Sequence, residues 1–83
     1  MNPKDIVLNI AVNLGRVGRY AQEGRTRRVE QFLAESREYL NQLLPQMRNP
    51  KFETWLEKAG NDVDPEEAYT WANILTHRSK SLV

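Results

Sequence analysis

Three times in this chain an Asn or Asp stands directly before a proline: Asn2-Pro3, Asn49-Pro50 and Asp64-Pro65. Each pair writes the start of a helix. An Asn or Asp side chain at the N-cap accepts a hydrogen bond from a backbone N–H that has no partner inside the helix. Proline at the next position gives up only an N–H that would have gone unused, and its φ is already set for the helix. Asp5 and Glu67, each three residues after its cap, place negative charge in the first turn, where the helix dipole favours it. Starts of this kind commit the chain to helices, and no alternating strand pattern, internal repeat or low-complexity segment competes with them.

Between these starts the apolar residues recur at three and four. Helix 1 is expected over residues 3–22, with a seam of Ile6, Val7, Ile10, Leu14, Val17 and Ala21. Gly24 then suits the left-handed C′ position, with Thr26 as the next N-cap. A central helix over residues 26–46 carries Val29, Leu33, Ser36, Leu40, Leu43 and, at its end, Met47. Phe32, Tyr39 and Leu44 widen that seam to a stripe of roughly 140°, more than one neighbouring helix covers. Pro45 is expected to end or kink this helix. Helix 3 (50–59) gathers Phe52, Trp55, Leu56 and Ala59 on one face. Helix 4 (65–79) gathers Ala68, Trp71, Ala72 and Leu75, with Ile74 at the edge and the tail 79–83 fraying. The expected fold is all-α: one small four-helix domain over residues 1–83, a long antiparallel αα-hairpin (helices 1 and 2) with two shorter helices packed across it.

Composition narrows the function classes. With no cysteine there is no disulfide framework, thiol nucleophile or thiolate metal site, which fits a reducing, cytoplasmic setting. The longest uncharged run, Ile6–Gly15, is ten residues and includes Asn9 and Asn13. A bilayer span takes about 20 apolar residues, so no membrane role is expected. The single histidine, His77, falls opposite the apolar stripe of helix 4, and no Glu-x-x-His pair, glycine-rich phosphate loop or nucleophile elbow is present. The expectation is a non-enzymatic protein with no cofactor and no metal.

Two features point outward. Leu8, Ala11, Val12 and Gly15 form a second apolar face on helix 1, away from its seam. Either helix 3 or 4 covers that face, or helix 1 pairs there with its symmetry mate in a homodimer, or these are scattered surface apolar residues without a partner. Gly15 and Gly18 each cost about 1 kcal/mol relative to alanine within a helix, which signals either a bend or a close approach. The second feature is a cluster of five arginines, Arg16, Arg19, Arg25, Arg27 and Arg28, within thirteen residues at the hairpin tip. Arginine at the start of helix 2 runs against the dipole, and its planar fork of donors suits carboxylate or phosphate.

Asp62, Asp64, Glu66 and Glu67 could answer these arginines within one chain or between two. An acidic protein partner is the next candidate, and nucleic acid the third. A net charge of +1 and the lack of any known DNA- or RNA-binding motif weigh against nucleic acid. The chain thus reads as a regulatory or protein-protein interaction module that self-associates through helix 1 and offers an arginine-rich tip to an acidic partner. A small nucleic-acid-binding regulator and a purely structural homodimer are the alternatives.

Overall fold

A computed structural model describes residues 1–82 of the chain. Four α-helices follow one another, α1 (Pro3–Gln22), α2 (Thr26–Asn41), α3 (Pro50–Lys58) and α4 (Pro65–Ser79), with a 3-10 turn over Pro45–Met47. No strand occurs among the described residues. The three Asx-Pro starts are built as their chemistry requires. The Asn2 side chain accepts from the Asp5 N–H, Asn49 from Lys51 and Phe52, and Asp64 from Glu66.

α1 is the shared element, packing along α2 on one flank and along α4 on the other. Leu14 and Val17 of α1, Val29 of α2 and Ala68 of α4 are fully enclosed, with Ile10, Leu33, Phe52 and Leu56 scarcely more exposed. The hairpin α1–α2 and the pair α1–α4 are both antiparallel. Tyr69, near the start of α4, packs on Gly18 and donates its hydroxyl to Gln22 Oε1 (3.1 Å) near the end of α1. α3 joins through aromatic rings: Phe52 lies 6.0 Å from Trp55 and 5.4 Å from Trp71, and the two indoles are 6.5 Å apart. Arg37 of α2 holds the other end of α3, donating through Nη2 to the carbonyls of Leu56 and Ala59, both at 2.8 Å.

Several expectations need correction. The central helix stops at Asn41 rather than near residue 46. The residue before a proline is pushed out of the helical region, and Leu44 is accordingly extended (φ −66°, ψ 146°). The helix unwinds ahead of it through tight bonds from Gln42 N–H to Tyr39 and from Leu43 N–H to Leu40. Leu43 therefore still enters the core, while Leu44 points outward at 54% exposure and Met47 sits half-buried in the 3-10 turn. The central stripe is accordingly narrower than expected, since Phe32 and Tyr39 are only half-buried.

Ser36, fully buried in that stripe, satisfies its hydroxyl by donating to the Phe32 carbonyl at 2.8 Å. α3 ends at Lys58, one residue before the expected limit. At the tail, Ser79 is buried and Leu82 packs against the core, so fraying does not begin at residue 79. Val83 lies outside the described residues.

Candidate interaction surfaces

The turn between α1 and α2 is set by Gly24 at φ +71°, a conformation that a Cβ would strain. Two backbone bonds close it, Arg25 N–H to the Tyr20 carbonyl (2.9 Å) and Gly24 N–H to that of Ala21 (3.2 Å). This is a Schellman arrangement, which usually carries an apolar contact between the residue after the glycine and the one five positions back. Here the contact is a cation on a ring, with the Arg25 guanidinium 5.1 Å from the Tyr20 centroid. Because Arg25 is engaged in finishing α1, it also stands at the N-cap of α2, where it supplies no side-chain bond. Thr26, expected as the cap, is already the first residue of the helix.

Tyr20 belongs to a larger stack. Its ring lies 5.8 Å from Phe32 with only 7° between the planes. Arg19 sits over Tyr20 at 4.7 Å and donates through Nη2 to the Tyr20 hydroxyl at 2.9 Å. Arg16 sits over Phe32 at 5.2 Å and donates through Nη1 to Asn13 Oδ1 at 3.3 Å. Three guanidiniums are thus held on two rings. Arg27 and Arg28 are exposed in the first turn of α2, which contains no acid, and Arg28 donates to Gln31 Oε1 at 3.2 Å. The structure brings all five arginines of the cluster to one end of the hairpin.

The acids at the start of α4 lie at this same end, because Tyr69 packs beside Gly18 and Gln22. They do not neutralise the cluster. Among the described residues the ion pairs are Arg25–Glu23 at 3.8 Å and Arg48–Glu53 at 3.3 Å, and neither involves Asp62, Asp64, Glu66 or Glu67. The first is exposed, a kind of pair worth roughly 0–1 kcal/mol. An arginine over an aromatic face can keep N–H donors at the edge, and Arg16 and Arg19 each spend one of their five on Asn13 and the Tyr20 hydroxyl.

On α1 the four residues of the second apolar face divide. Ala11 is buried, in register with Gly18 two turns later on the side that α4 covers, so it does not belong to an outer surface. Val12 is 53% exposed, Leu8 is half-buried, and a Cβ built on Gly15 meets nothing within 4 Å. Gly18 does the opposite, lying against the Tyr69 ring. α1 continues through both glycines to Gln22.

Two further residues of this region were not singled out by sequence patterning. Asn13 is 3% exposed, and its Nδ2 has no hydrogen-bond partner. Tyr20 falls outside the apolar seam and appears as a platform only once Arg25 is seen folded back across it. His77 is exposed on α4, and among the described residues no group of three or more His, Cys, Asp or Glu side chains is gathered as a metal ion would require. No helix is long and apolar enough to cross a membrane among the described residues. Comparison of the chain with protein-family models, curated proteins and solved structures returns no match.

Proposed function

We propose that this protein is a non-enzymatic helical interaction module that offers its arginine-rich end to an acidic protein partner and pairs with a second copy through the outer face of α1. One observation carries the first part. Arg16, Arg19 and Arg25 rest on the rings of Tyr20 and Phe32, while the acids that open α4 pair with none of them and only Arg25 meets a carboxylate, the exposed Glu23. Ordering a long side chain costs up to about 2 kcal/mol, and stacking meets part of that cost before the partner arrives. Carboxylates then meet preset forks instead of freely rotating ones. Because no cysteine contributes to stability, a reducing, cytoplasmic setting suits this reading.

The alternation of arginines with aromatic rings also supports a second reading, phosphate contacts on nucleic acid. The acids at the start of α4 weigh against it. A long polyanion would run past them, whereas a discrete acidic segment fits beside them. A labelled Asp/Glu-rich peptide and mixed-sequence DNA and RNA, titrated at two salt concentrations, separate the readings. The acidic-partner reading predicts peptide binding that weakens about tenfold or more when Arg25, Arg27 and Arg28 become Ala. Preferential, steeply salt-dependent nucleic-acid binding would select the second reading. Binding to none of them at low salt would leave only a structural homodimer.

A further inference from the structure

On α1, the Cα positions of Asp5, Leu8, Val12, Gly15, Arg16 and Arg19 fall within one stripe roughly 100° wide at 100° per residue, opposite the α1 seam, with the Arg16 and Arg19 guanidiniums leaning to its α2 edge over Phe32 and Tyr20. The stripe is graded along its length. Asp5 opens it with an exposed carboxylate, Leu8 and Val12 form an apolar middle, and Arg16 and Arg19 close it with exposed guanidiniums. Among the described residues, Asp5 makes no ion pair and neither arginine meets a carboxylate. They cannot pair with one another in the same chain. Asp5 and Arg19 are fourteen residues apart, or about 21 Å along a straight helix.

We propose that this stripe docks on the same stripe of a second copy, antiparallel, with Val12 at the twofold axis and Asp5 of each chain against Arg19 of the other. This rests on the self-association proposed above and specifies its register. A helix lying across a twofold axis must meet its mate antiparallel, and only a self-complementary sequence gains by that. This one is self-complementary. With Val12 on the axis, the position facing Asp5 is the partner's Arg19, and the position facing Leu8 is the partner's Arg16, whose methylenes offer apolar surface while its guanidinium stays over Phe32 of its own chain. Gly15 leaves room for the partner's backbone.

The native chain has no cysteine, so a single engineered thiol reports its own position. Under mild oxidation at micromolar concentration, Val12→Cys should give disulfide-linked dimer at least about tenfold faster than Glu30→Cys on the exposed face of α2, because the thiols are already neighbours. Sedimentation supplies the second readout. Asp5→Arg should weaken the dimer about tenfold, and adding Arg19→Glu should restore it. A wild-type monomer at high micromolar concentration would overturn self-association and this register together. A wild-type dimer in which Val12→Cys crosslinks no faster than Glu30→Cys, or in which the double charge swap fails to restore pairing, would overturn the register and leave self-association standing.

Discussion

Gly18 and Tyr69 lock α4 onto α1. A Cβ on Gly18 would lie 2.6 Å from Tyr69 Cε1 and 2.8 Å from Cζ, inside the ring's own volume. Gly15, one turn earlier, has nothing within 4 Å of the same construction. Two glycines that look alike in sequence therefore carry opposite expectations.

Gly18→Ala gains helix propensity of about 1 kcal/mol but forces the Tyr69 ring and its bond to Gln22 aside, an overpacking cost of about 1–3 kcal/mol. The net result should be destabilisation of about 1 kcal/mol, seen as a fall in Tm of about 4–8 °C. Gly15→Ala should raise Tm of the monomer by a similar amount, since it gains propensity and meets no clash within its own chain. Thermal unfolding followed by circular dichroism at low micromolar concentration checks both.

Arg37 is a tie between helices that share little other surface. Its guanidinium donates to two carbonyls at the end of α3, both at 2.8 Å. Arg37→Ala should cost about 1–2 kcal/mol, the range for charge-assisted bonds discounted for partial exposure. The loss should be local, so hydrogen exchange should quicken across residues 50–59 before the amides of α1 respond.

Asn13 holds a buried donor without a partner. Asn13→Leu, which keeps the same branching but is larger, removes that donor and gives up the bond that Oδ1 accepts from Arg16, so it should stabilise the protein by at most about 1 kcal/mol in denaturant titration. Asn13→Asp buries a carboxylate that only Arg16 answers, and its desolvation should destabilise the protein by about 1–3 kcal/mol.

The three Asx-Pro helix starts were legible in the sequence because their chemistry is local: a capping side chain and a proline act on the next three residues, whatever the rest of the chain does. The end of α2 was less so. The effect of Pro45 reaches back through Leu44 and is then fixed by Leu43 turning into the core, a tertiary outcome that residue spacing does not encode. Ala11 failed for a related reason. Helical periodicity assigns it a face, but only the wrap of α4 around α1 decides whether that face is inside. The arginines were visible as a run, whereas the Tyr20–Phe32 stack beneath them depends on a chain reversal that brings residues twelve positions apart ring to ring.

Tyr20 offers a way to separate positioning from charge. Tyr20→Leu leaves the net charge at +1 but removes the ring under Arg19 and Arg25. Acidic-peptide affinity should fall about three- to tenfold, the scale of one or two exposed cation–π contacts of about 0.5–1 kcal/mol. Unchanged affinity would mean that the arginines act only as loose charges.

The claim that the arginine end is a partner surface is tested most directly by paired affinity capture from the native host, comparing wild-type bait with bait in which Arg25, Arg27 and Arg28 are Ala. The account predicts an acidic protein retained by the wild type and lost from the triple variant, with both baits equally helical and equally dimeric. The same proteins on both baits, or a nucleic acid as the component that distinguishes them, would contradict it.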